Sequence, residues 1–146
     1  MKNIAAIILI VLTSTVPAWA VLGQPQDSVQ SDAHTLNGTL ATTEMSGYSV
    51  QQITRGDGVV LKEFVSPEGK VFGVSWHGPT MPNLPQLLGP YFLAFQQANQ
   101  SNHRRGPLSV HTGPLVVETG GHLRAFHVRA YLADQVPSGV SGDVVQ

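Results

Sequence analysis

Two turn signatures cut residues 47–77 into three strand-like runs, and they constrain the fold more than any other feature of the chain. Gly56-Asp57-Gly58 separates "GYSVQQITR" from "VVLKEFV", and Ser66-Pro67-Glu68-Gly69 separates "VVLKEFV" from "KVFGVSW". Proline in the second position and glycine in the fourth fit a type I turn, so the runs are expected to form an antiparallel meander. Side chains alternate between the two faces of a strand. Phe72, Val74 and Trp76 therefore share one side of the third run, and Val71, Gly73, Ser75 and His77 share the other. The bulkier side is expected to face the core.

Gly78-Pro79 ends that run, because proline cannot continue a ladder. Beyond it, Leu84, Leu87, Leu88, Tyr91, Phe92 and Phe95 recur at spacings of three and four, one apolar stripe on a helix. Asn83 is the expected cap, with Pro85 in the first turn. Gly89-Pro90 interrupts the stripe, and proline inside a helix removes a hydrogen bond and crowds the preceding turn. A kink or two short segments is expected, dissolving into the polar loop "QQANQSNHRRGP". Near the C-terminus, Gly120-Gly121 separates two further strand-like runs as a hairpin turn. On the second of these, Phe126, Val128, Ala130 and Leu132 alternate with His127, Arg129 and Tyr131. The final "PSGVSGDVVQ", residues 137–146, reads as a flexible tail. At the other end, Val29, Ala33, Leu36 and Leu40 have helical spacing and Asn37-Gly38 is a stop signal, so a short helix ends near Leu36. "TLATTEMSG" carries no firm signal.

The first twenty residues have the parts of a secretory signal peptide: Lys2, an apolar run from Ile4 to Leu12, and the small-x-small end Ala18-Trp19-Ala20. The run is shorter than the ~20 residues that span a bilayer. Cleavage after Ala20 is expected, with an uncleaved anchor as the alternative. Of 146 residues 126 then remain, enough for a single domain over residues 21–136 and without a membrane span. The chain has no cysteine, which excludes disulfides, thiolate metal sites and thiol nucleophiles. Without Lys2 there are seven basic and nine acidic residues, so no basic surplus exists for a nucleic-acid backbone.

Ser75 and His77 are residue types that can form a nucleophile and its base. Two apart on one strand face, their side chains diverge more often than they bond. No acid stands nearby to orient the imidazole, and no G-x-S-x-G elbow is present. His122 and His127 have opposite parity and cannot share an ion without a bulge. His111 could meet His127 across the sheet, depending on strand pairing. His103-Arg104-Arg105 is a small basic cluster in a loop, and Glu63, Glu118 and Asp134 show no pairing by spacing. No catalytic or metal-binding residue and no cofactor is nominated. The candidate ligand or partner surface is the polar sheet side with Ser75, His77, His127 and Arg129.

The ordered combination "VSPEGKVF", "WHGP", "QLLGPYF" and "GGHLRAFHVRAYL" resembles an uncharacterised family of exported bacterial proteins, domain-of-unknown-function family 2844. The resemblance covers nearly all of the chain after the signal segment. It implies a periplasmic or secreted location in Gram-negative bacteria, and it carries no established activity, cofactor or catalytic residue.

The expected fold is α+β: an antiparallel sheet, made of a three-stranded meander and a C-terminal hairpin, with one main helix on one face and a short N-terminal helix. Phe72, Val74, Trp76, Phe126 and Val128 would form the core under the helical stripe. The expected function is that of a non-catalytic exported protein binding an envelope partner or small ligand. The alternatives are a small hydrolase or metal-dependent enzyme using the histidines, and a structural subunit of an envelope assembly.

Overall fold

The computed structural model describes residues 22–100 and 107–146. The signal segment and the His103-Arg104-Arg105 cluster lie outside the described residues. The elements run α1 (Ser28–Thr35), β1 (Thr39–Met45), β2 (Tyr48–Thr54), β3 (Val60–Val65), β4 (Val71–Gly78), α2 (Leu84–Leu88), α3 (Phe92–Gln100), β5 (Leu108–Thr112), β6 (Leu115–His122) and β7 (Ala125–Leu132). The seven strands form one sheet in the order β1-β2-β3-β4-β7-β6-β5, and every neighbouring pair is antiparallel. The α+β class and the meander are as expected, but the sheet is larger. "TLATTEM" adds a strand before the meander, and β5 adds one to the C-terminal hairpin.

Local chemistry accounts for most boundaries. Gly69 donates its N–H to Ser66 O at 2.9 Å, closing the β3–β4 turn. Helix α1 ends with Gly38 N–H bonded to Ala33 O and Asn37 N–H to His34 O. That pattern is a Schellman ending, with Asn37 (φ 49°) rather than a glycine in the left-handed position. Asn83 caps α2 by accepting from Gln86 N–H. At Gly89–Tyr91 the helix tightens into a single 3-10 turn before α3 begins, which is how the chain accommodates Pro90. Helix α3 runs to Gln100, so "QQANQ" continues the helix instead of opening the expected loop.

The main core lies between one sheet face and the helices. It joins Val29 and Ala33 of α1 with Leu87, Leu88 and Phe95 of α2–α3, over Ile53, Leu61, Val74, Trp76, Val117, Val128, Ala130 and Leu132. Leu84, Tyr91 and Phe92 pack at its margin, partly buried. Phe126 is only half-buried and belongs to neither apolar cluster, because it pairs with Gly78 where the sheet face runs out beyond Trp76.

Three expectations are corrected here. Phe72 does not share a face with Val74 and Trp76. The register shifts between Phe64↔Gly73 and Val65↔Val71, and this bulge turns Phe72 to the opposite face, where it packs with Phe64, Tyr48 and Val145. An inserted residue reverses parity, so Val71 joins the main core instead. Residues 137–146 are not a loose tail. They run across the second face, where Val145 is 0% exposed and a Cβ on Gly73 would come 2.5 Å from Val145 Cγ2. The turn of the last hairpin is Leu123-Arg124, since His122 pairs with Ala125. Gly120-Gly121 lies inside β6, where a Cβ on Gly121 would meet the Ala125 carbonyl.

Beneath α1 the core holds a carboxyl group. Glu63 is 0% exposed, and among the described residues neither of its carboxyl oxygens has a hydrogen-bond partner. Burial, reinforced by the charge of Asp32 on α1, pushes its pKa from 4.5 up to about 8. As pH rises through this window the unfolded chain ionises Glu63 while the folded protein holds its proton, so stability falls from about pH 4.5 and levels off above about pH 8. At about 1.4 kcal/mol per unit the total is several kcal/mol. Glu63→Gln is expected to flatten this dependence and raise the melting temperature at pH 8 relative to the parent. Thermal melts at pH 5 and pH 8 measure it, and an equal pH dependence in the two proteins would contradict the assignment.

Candidate functional site

The pairing of β4 with β7 builds a patch on the second face that no single run contains. Register across β3, β4, β7 and β6 sets two rows side by side. One row is Lys62, Ser75, Arg129 and Glu118; the next is Val60, His77, His127 and Gly120. Ser75 is small and Lys62, His77, His127, Arg129 and Glu118 around it are larger, so the rows border a hollow of about 380 Å³. Gln146 closes one side, its carbonyl accepting a hydrogen bond from Lys62 Nζ at 3.0 Å. The four residues expected to form a ligand surface, Ser75, His77, His127 and Arg129, all line this one hollow.

The charged members are already engaged. Arg129 Nε donates to Glu118 Oε2 at 2.7 Å, its Nη2 lies 3.7 Å from Asp143 Oδ1, and its Cζ sits 6.0 Å from the Tyr131 ring centre. The hydrogen bond that Arg129 donates to Glu118 raises the guanidinium pKa further and keeps it charged. Lys62 is tied to Gln146. By contrast, Ser75 is buried and His77 and His127 are exposed, and no hydrogen bond joins the serine to either imidazole. Among the described residues, Ser75 Oγ and the ring nitrogens of His77 and His127 are therefore the lining groups left for an incoming group.

His127 owes its seat to Gly120. A Cβ on Gly120 would lie 2.5 Å from His127 Nε2 and 2.7 Å from its Cε1. The ring thus rests on the bare backbone of β6 and leans away from His77. Glu118, Lys62 and Gly120 were not singled out for this surface from the sequence, because their membership depends on which strands pair. His111 does not meet His127: it pairs with Val116, whereas His127 faces His77 and Gly120. His122 sits at the hairpin end, with Nδ1 3.3 Å from Leu123 O. Among the described residues no three of His, Cys, Asp and Glu gather as a metal ion requires. A smaller hollow of about 190 Å³ on the helix side, lined by Arg55, Trp76, Thr80 and Asn83, contains none of these histidines. No helix among the described residues is long and apolar enough to cross a membrane.

The fold and patch define an antiparallel α+β protein with a hollow on the sheet face opposite its helices. The chain belongs to the family described as protein of unknown function (DUF2844), which matches residues 18–145. No curated protein and no solved structure matches it.

Gly120→Ala is expected to displace the His127 ring from β6. In a proton–carbon spectrum the His127 imidazole signals should move while those of His111 stay in place. An unmoved His127 would show that the ring does not depend on the glycine.

Proposed function

We propose that the protein is a non-catalytic binding protein that works outside the cytoplasm, in the cell envelope or beyond, and holds a small polar ligand or a partner's side chain in the hollow on β3-β4-β7-β6. The observation that carries this reading is the division of labour inside the hollow. Its ions are paired, Arg129 with Glu118 and Lys62 with the Gln146 carbonyl, while the side chains of Ser75, His77 and His127 have no hydrogen-bond partner among the described residues and border a concave floor. Pre-formed concavity with a few unsatisfied polar groups is the usual form of a binding site. The signal-like N-terminus supports export. Glu118 supports binding over catalysis: its carboxylate is held by Arg129 and orients neither imidazole.

The test is native mass spectrometry of the protein isolated without denaturation from its host. A bound mass retained by the parent and lost from a His77→Ala/His127→Ala variant with an unchanged melt is expected. Identical spectra from the two would count against the hollow.

One observation favours a hydrolytic reading as the competitor. Ser75, His77, His127 and Glu118 do share a single concavity, and catalytic hydrogen bonds often tighten only when substrate binds. Assay against a panel of activated esters decides between the two. Turnover abolished by Ser75→Ala would establish the hydrolase, and turnover that survives it, or none at all, leaves the binding protein.

A further inference from the structure

The two edges of the sheet are not alike. At one end β5 is five residues long, follows Pro107, precedes the Gly113-Pro114 turn and has α3 packed beside it. At the other end β1 is seven residues long, and six of its seven side chains are exposed. It pairs with β2 in an unbroken register from Thr39↔Thr54 to Met45↔Tyr48. Among the described residues nothing pairs with its outer side. Of the devices that keep an edge from pairing it has a single charge, Glu44, at its far end; it has no lysine, no proline and no bulge.

The backbone phase of this edge follows from two observations. Arg55 N–H bonds Val59 O at 2.9 Å, so the odd-numbered residues of β2 bond towards β3 and the even-numbered ones towards β1. Tyr48, Val50, Gln52 and Thr54 therefore bond to Met45, Thr43, Ala41 and Thr39. Leu40, Thr42 and Glu44 are left with N–H and C=O groups pointing away from the sheet. These three positions are symmetric about Thr42. A second β1 laid antiparallel across them places Thr42 against Thr42 and Leu40 against Glu44, and every outward N–H and C=O finds a partner.

Charge selects the same arrangement. Glu44 is the only ionised residue of the strand. In the antiparallel pairing the two Glu44 side chains are four residues apart along the sheet, about 14 Å, beyond the screening length of ~8 Å at physiological salt. A parallel pairing would set them directly opposite, about 5 Å apart. The central Thr42 pair is uncharged and has high strand propensity.

The geometry points to a symmetric dimer in which β1 pairs antiparallel with β1 of a second copy, centred on Thr42 and joining two seven-stranded sheets into one. The hollow on β3-β4-β7-β6 lies away from this edge and stays open in the dimer, so the inference stands whether or not that hollow binds a ligand. A strand-edge contact without an apolar centre belongs among the small interfaces, and the association is accordingly concentration-dependent.

Sedimentation equilibrium on the protein as its host produces it tests this. The weight-average mass is expected to rise from one chain towards two with concentration, and Thr42→Pro is expected to hold it at one. The proline removes only an outward N–H, so the β1–β2 ladder and the melt are preserved. If Thr42→Pro melts early, a charge exchange replaces it. Thr42→Lys and Thr42→Glu should each weaken association several-fold at low salt, and mixing them should restore it as a heterodimer. A parent that stays monomeric at every concentration overturns the proposal, as does a dimer that tolerates lysine at position 42.

Discussion

The antiparallel contact between β4 and β7 is the interaction on which the rest of the structure depends. It joins partners separated by the helical excursion α2–α3 and both strands that follow it, so β5–β6–β7 is not merely a neighbour of β1–β2–β3–β4 but part of the same sheet. Trp76 and Val128 meet through it on the helix side, and Ser75, Arg129, His77 and His127 meet through it on the other. Core and hollow are two faces of one strand pair. Closing so long a loop costs entropy before any contact is gained, and the return is a continuous apolar floor for the helices.

A chain without cysteines must rely on burial, and this one buries an apolar cluster on each face of its sheet. The helices cover the larger cluster, and the C-terminal segment covers a smaller one made by Tyr48, Phe64, Phe72 and Val145. The bulge at Phe72 makes the second cluster possible, since without it the ring would crowd the helix face with Val74 and Trp76. Gly73 then leaves room for Val145. The same C-terminal segment ends at Gln146, one wall of the hollow, which links the packing of the second face to the shape of the site. Buried Glu63 works against this packing once it ionises, because its carboxyl group lies in a region built for apolar contact.

Much of the local structure was legible. The turns at 56–58 and 66–69, the stop at Asn37-Gly38, the Asn83 cap and the break at Gly89-Pro90 each follow from short-range backbone chemistry, and all appear where the residues place them. Alternation correctly grouped Val74 with Trp76, and Ser75 with His77. It failed at Phe72, since a bulge is an irregularity of pairing and a lone strand carries no mark of it. It also misread Gly120-Gly121: glycines can make a turn or admit a neighbour, and here one admits the His127 ring and the other the Ala125 carbonyl. The closing residues looked like a tail because small and polar residues dominate them, although the two valines at their end were the clue to docking.

By itself the sequence determined the α+β class, the family, the absence of disulfides and thiol chemistry, and the polar face on which Ser75, His77, His127 and Arg129 lie. These depend on composition and on periods of two to four residues. Only the tertiary structure decided that those four residues share one hollow, that Glu118 restrains Arg129, and that β1 is left as an open edge. Each of those outcomes depends on which distant strands pair and in what register, and that choice is made by the total burial of the folded chain rather than by any local run of residues.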